Sequence, residues 1–191
     1  RLERTHRELA NNATVSKFGI DLTDDLALEA MAEALLSHHA SIDILVNNAG
    51  IGGPTAPIGK VSPADWDRTL AINLRVPFLL SRALAPAMIR ARSGRIINIS
   101  SIAGKMAYPL RAPYAASKWG LIGLTLTLAQ ELGPDNIQVN AICPGPTQTE
   151  LIESVIRARA AATGTSFEEM SKEYVRATAL KRMVQPEEVA E

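Results

Sequence analysis

The chain has 191 residues, 47% apolar and 21% charged, which suits one folded domain with a sizeable core and is too short for two large ones. Twenty lysines and arginines balance twenty aspartates and glutamates, so no net field draws nucleic acid or an acidic membrane. The single cysteine, Cys143, excludes an intrachain disulfide framework and a cysteine-based zinc site, and no apolar run approaches the ~20 residues of a bilayer crossing.

Arg1 to Leu9 is charged and helix-prone, unlike a signal peptide, so the expected setting is a reducing aqueous compartment such as the cytoplasm. Residues 13 to 20 predict a strand closing on Asp21-Leu22-Thr23-Asp24. Residues 24 to 38 place Leu28, Met31, Ala32, Leu35 and Leu36 at helical spacing. A short apolar strand at 42–46 ends on Asn47-Asn48-Ala49-Gly50, and a glycine- and proline-rich loop follows. Ser62 reads as an N-cap, with Pro63 in the first turn and Asp65 closing a capping box. That helix is expected to run past Asn73 to Arg92. A strand at 95–99 leads into Ser100-Ser101, a helix is predicted from Pro113 to Leu132, and a strand from Ile137 to Cys143 ends at Pro144-Gly145-Pro146. The rest, from Thr149 to Glu191, reads as mostly polar helix interrupted at Gly164.

Strands alternating with helices imply βαβ units, hence an α/β fold with a parallel sheet and helices on both faces. Ligands bind such sheets at the carboxyl ends of the strands. The informative polar groups sit there: Asp21, Asn47, Ser101 and Pro144-Gly145 each follow a strand.

Tyr114 and Lys118, four apart on a helix, share one face. A free phenol is a poor base at neutral pH, and a nearby ammonium favours its deprotonated form. Such a phenol can exchange a proton with an alcohol or ketone. Ser101, at a strand end and separated from Tyr114 by a loop, is placed to hydrogen-bond the same substrate oxygen, with Ser100 as the competing candidate. The small residues of Asn47-Asn48-Ala49-Gly50 let the backbone approach a flat ligand, and the amides can tie neighbouring strands together. Gly50-Ile51-Gly52-Gly53 is not a phosphate loop, because no helix starts directly after it.

Taken together the chain resembles the short-chain dehydrogenase/reductase family over essentially its whole length. The motifs are Asp21-Leu22-Thr23, Asn47-Asn48-Ala49-Gly50, Asn73 within Ala71-Ile72-Asn73-Leu74, Ile97-Asn98-Ile99-Ser100-Ser101, Tyr114-Ala115-Ala116-Ser117-Lys118, and Pro144-Gly145-Pro146-Thr147-Gln148-Thr149. The resemblance implies a Rossmann-type, doubly wound three-layer α/β/α fold, incomplete at its N-terminus, in a single domain over residues 1–191. It implies hydride transfer between NAD or NADP and a secondary alcohol or ketone. Tyr114 would be the general acid/base and Ser101 would orient the substrate oxygen. Lys118 would assist Tyr114 and hold the nicotinamide ribose, and Asn73 would anchor a water linking Lys118 to solvent. Judged locally, Asn73 reads instead as a polar residue on a solvated helix face. Asp21 and Leu22 would flank the adenine, Asn47, Ala49 and Gly50 would pack along the cofactor, and Pro144, Gly145, Thr147 and Thr149 would meet its nicotinamide end.

The family opens with a strand, a glycine-rich turn and a helix that are not among these residues. Residues 1 to 191 alone are therefore expected to bind cofactor poorly, and the choice between NAD and NADP is not legible. By the same resemblance the helices at 63–92 and 113–132 would pack between subunits of a homodimer or homotetramer, and residues 150–182 would form a lid over the substrate pocket. Pro109, Leu110, Ala112, Trp119 and Leu151 are candidates to line that pocket. His6, His38 and His39 read as solvated surface rather than metal ligands, Cys143 as a small core residue, and Trp66 and Trp119 as packing or interface groups. The alternatives to an oxidoreductase are a non-catalytic dinucleotide-binding scaffold and a cofactor-free lyase resembling the halohydrin dehalogenases, which carry arginine where Lys118 stands.

Overall fold

The computed structural model describes residues 2–10, 14–39 and 41–191. Its elements in chain order are α1 (Leu2–Ala10), α2 (Asp25–His38), β1 (Ile44–Asn47), α3 (Pro63–Leu70), α4 (Val76–Ala91), β2 (Gly94–Ile99), α5 (Ala112–Leu132), β3 (Ile137–Ile142), α6 (Glu150–Thr163), α7 (Phe167–Arg176) and α8 (Pro186–Ala190). The three strands form a parallel sheet in the order β1-β2-β3, with Leu45 beside Ile96 and Ile96 beside Val139. Parallel neighbours need crossover connections, which α3–α4 and α5 supply.

That row of apolar residues faces the helices. Ala85 and Met88 of α4, Leu132 at the end of α5, and Ile96, Ile137 and Val139 of the sheet form one buried cluster. A second cluster joins Leu28 of α2 to Val76 and Leu79 of α4, with Ile20 and Leu22 against it. A third, built on Ile156, Ala160 and Met170, holds α6 to α7.

Among the described residues, α4 and α5 pack on one face of the sheet. On the opposite face Ile44 and Val46 are 51% and 52% exposed. One expectation is corrected here: residues 14–20 belong to no strand or helix, while Arg1 and Ala13, the first residues of the predicted helix and strand, lie outside the described residues. A strand is held by its neighbour's backbone, so β-prone residues alone do not make one.

The long helix is also not uniform. Ser62 caps it as expected, its Oγ accepting from the Asp65 N–H at 3.1 Å, and Pro63 occupies the first turn. One π-helical turn, Ala71–Arg75, then divides α3 from α4. The stretch Pro63–Ala91 is long and apolar enough to cross a bilayer by length and composition, but 56% of its apolar window is buried inside the protein, as in a core helix. Gly164, with φ of 70°, turns the chain between α6 and α7, and Ser166 with Glu169 opens α7 through a capping box.

Candidate active site

The site forms where β1, β2 and β3 end. β2 stops at Ile99, and the chain turns through two serines with different partners. Ser100 is buried and its Oγ donates to the Lys118 carbonyl at 3.0 Å. The Ser101 Oγ accepts from the Ala103 N–H at 3.1 Å, which caps a short helical turn, and its side chain borders the cavity. The loop then runs to Leu110, held at φ 66°, and Arg111, from which α5 departs with Pro113 in its first turn.

One turn into α5, Tyr114 and Lys118 face the same cavity of about 700 Å³ as Ser101. Lys118 is buried, its Nζ donates to the Ile99 carbonyl at 2.8 Å, and it lies 5.8 Å from the centre of the Tyr114 ring. Burial pulls its pKa from the ordinary lysine value to about 8, with Cys143 opposing that shift. The amine therefore keeps its charge at neutral pH, beside the phenol ring. Cys143 itself is half-buried rather than part of the core.

Asn73 is 1% exposed, so the solvated-face reading fails. The π turn directs it inward, where its Oδ1 accepts from the Ile51 N–H (2.8 Å) and its Nδ2 donates to the Ile51 carbonyl (2.9 Å) and the Ser117 Oγ (3.1 Å). It thereby clamps the loop after β1 to α5. π turns of this kind occur often at functional sites. A Cβ added at Gly50 would stand 3.3 Å from the Asn73 Oδ1 and 3.7 Å from the Lys118 Nζ. The bare backbone of Gly50 thus leaves room beside Lys118.

Asn47 ties the sheet together as expected. Its Nδ2 donates to the Asn98 Oδ1 at 2.8 Å, and the Asn98 Nδ2 donates to the Thr125 Oγ1 at 2.9 Å, while the Asn47 Oδ1 is buried without a partner. Gly50 and Asn48 border the cavity and Ala49 does not. Across from them the turn after β3 contributes Pro144, Gly145, Thr147 and Thr149, with Thr149 also capping α6. Asp21 and Leu22 stand outside it: Asp21 bonds the backbone and hydroxyl of Thr23, and Leu22 packs against the α2–α4 cluster. Of the proposed pocket residues, Pro109 and Leu151 line the cavity, whereas Leu110, Ala112 and Trp119 do not. Trp119 is 52% exposed. Sequence reasoning missed Tyr108, Arg111, Arg159 and Tyr174, which form another wall of the cavity. No local pattern marks them, since they meet from three separate elements.

The bare backbone of Gly50, the buried Lys118 cation and the Tyr114 phenol border one cavity, a lining with room and polarity for the nicotinamide end of a dinucleotide cofactor. Comparison with known proteins agrees. The family model described as short chain dehydrogenase matches residues 1–160. The chain belongs to the short-chain dehydrogenases.

Within that family it is 45% identical over 141 residues to trans-4-hydroxycyclohexanecarboxylate dehydrogenase of Sinomonas cyclohexanicum, which covers 72% of this chain and 52% of the relative. Among solved structures, NAD+-bound xylitol dehydrogenase superposes with a TM-score of 0.91 at 29% identity, covering 99% of this chain and 76% of that one. Actinorhodin polyketide ketoreductase with NADPH gives 0.90 at 32% identity, covering 99% and 73%. The parallel sheet and its helices are thus those of a Rossmann-type fold. This short-chain dehydrogenase chain spans 52 to 66% of the length of the first curated relatives it matches.

Proposed function

We propose that the protein is an NAD- or NADP-dependent oxidoreductase acting on a secondary alcohol or its ketone. The observation that carries this reading is that Ser101, Tyr114 and Lys118 border one cavity, with Gly50 and the turn after β3 on its other sides. When bound, the nicotinamide cofactor supplies or accepts the hydride. The chain's own residues handle the proton and the geometry. In reduction the Tyr114 hydroxyl gives its proton to the substrate oxygen; in oxidation the phenol oxygen receives it. The Ser101 hydroxyl donates a hydrogen bond to that same oxygen and fixes its direction. The Lys118 cation, 5.8 Å from the ring, stabilises negative charge on the phenol oxygen when the proton leaves. Asn73 holds the loop on which Gly50 lies, and so keeps the cofactor side of the cavity in register with α5.

The relatives' names include a hydroxycyclohexanecarboxylate and a polyol, and these share a secondary hydroxyl. A homodimer or homotetramer suits the apolar surface of α4 and α5, and a reducing compartment such as the cytoplasm suits the unpaired Cys143. The test is turnover followed at the nicotinamide absorbance with a panel of alcohols and ketones. Tyr114→Phe is expected to lower kcat by about 10²-fold or more, the usual size of an acid–base contribution. A change within about threefold would overturn the role of Tyr114. Cofactor binding with no turnover on any substrate would favour the scaffold reading.

A further inference from the structure

Away from Ser101, the cavity has a wall made by Tyr108, Arg111, Arg159 and Tyr174, and its chemistry is one-sided. Arg111 is 2% exposed and donates to the Gly52 carbonyl (2.7 Å) and the Thr55 Oγ1 (3.1 Å), leaving its Nε buried with no partner. Arg159, on α6, rests its guanidinium 5.8 Å from the Tyr108 ring centre and 5.5 Å from that of Tyr174, and its Nε is also buried and unpartnered. The Tyr174 hydroxyl is buried as well and faces the Tyr108 hydroxyl. Among the described residues no carboxylate forms an ion pair with either arginine, and Glu173, at the same cavity, is held by Arg176 at 2.9 Å.

Two guanidiniums facing one cavity without a counter-charge are costly, and burial already pulls the Arg111 pKa below its ordinary value. The Arg111 and Arg159 Nε groups can each donate a further hydrogen bond. What completes them is an anionic acceptor. A carboxylate offers two oxygens with about four lone-pair sites, and its plane matches a guanidinium fork.

We propose that this wall binds a carboxylate of the substrate, so that the protein acts on an oxo acid or hydroxy acid. The Tyr108 ring lies between those of Tyr114 and Tyr174, at 6.4 Å from the first and 6.5 Å from the second. Arg111 lies 5.3 Å from the centre of the Tyr114 ring, whereas Arg159 lies between the Tyr108 and Tyr174 rings, so an acid group held by Arg159 sits several carbons from the reacting one. The claim about the reacting end rests on the oxidoreductase reading, whereas the claim about the acid group stands on the arginine wall.

The experiment has two arms. In the binding arm the protein is titrated calorimetrically with hexanoate, hexanamide and pentylphosphonate, none of which can turn over. Hexanoate is expected to bind about tenfold or more tightly than hexanamide, and Arg159→Gln to remove that preference, with Arg159→Lys restoring part of it. Arg159 is chosen because Arg111 also ties down Gly52 and Thr55. In the turnover arm, levulinate and its longer homologues are compared with their primary amides. The acid-to-amide ratio of kcat/KM is expected to be about tenfold or more, to arise in KM, and to collapse in Arg159→Gln. Equal binding of hexanoate and hexanamide by the wild type, or an undiminished preference in Arg159→Gln, overturns the acid site. Tighter binding of the phosphonate overturns the carboxylate in favour of a dianion. If no substrate turns over, the oxidoreductase reading falls and the hexanoate titration still decides this one.

Discussion

Lys118 carries its ammonium in a buried setting, bonded to the Ile99 carbonyl, with a pKa near 8 because of that burial. An unfolded lysine keeps its proton up to an ordinary value of 10.5. Between these two values the unfolded chain binds more protons than the folded one, so this group makes the fold more stable as pH rises. Urea unfolding is expected to show the wild type gaining about 2 kcal/mol relative to Lys118→Met between about pH 7.5 and 9.5. A difference that stays flat or moves the other way would contradict a lysine buried in this manner. Asn73 makes a different prediction. Removing its amide leaves the Ile51 N–H and carbonyl without their partner, so Asn73→Ala is expected to cost about 1–3 kcal/mol of stability in the same assay. Turnover should fall with it, because the loop carrying Gly50 loses its clamp.

At the scale of elements, the approach of the Ser101 loop to α5 is set by a missing side chain. A Cβ at Gly104 would stand 2.7 Å from the Lys118 carbonyl oxygen, which is helix backbone and cannot swing aside. Gly104→Ala is expected to destabilise by about 1–3 kcal/mol and to displace Lys118. Gly120→Ala, whose one close neighbour is the Leu74 Cδ2 at 2.7 Å, the tip of a side chain, is expected to cost less; thermal unfolding of the pair checks the order. Much of this framework was legible in the sequence. Asn47, Ser101 and Pro144 stand at the ends of strands, and a parallel sheet gathers such strand ends at one edge. Three features were not legible, each for its own reason. The π turn lies in Ala71-Ile72-Asn73-Leu74-Arg75, which contains no glycine or proline to announce a change of helix type. Residues 14–20 carry β-prone side chains, but no described strand lies beside them to complete hydrogen bonds. Arg111, Arg159 and Tyr174 come together through the packing of α5, α6 and α7, which no spacing in the chain encodes.

For the whole molecule, the apolar surface that α4 and α5 leave to solvent includes Phe78, Trp119 and Leu126, at 46%, 52% and 64% exposed. Association of copies would bury it, so sedimentation is expected to find a dimer or tetramer, and Trp119→Glu with Leu126→Glu is expected to shift the population to monomer. A wild-type monomer at micromolar concentration would remove that reading. The parallel strand order has a kinetic consequence as well. Asn47 and Asn98, bonded on adjacent strands, are 51 positions apart, and Gly94 pairs with Ile137 across a comparable stretch. Every rung of the ladder is therefore bought with the closure of a long loop, while helices coil in about a microsecond. The rate at which the polypeptide reaches its native state is therefore expected to follow the search for those distant rungs rather than the winding of any one helix.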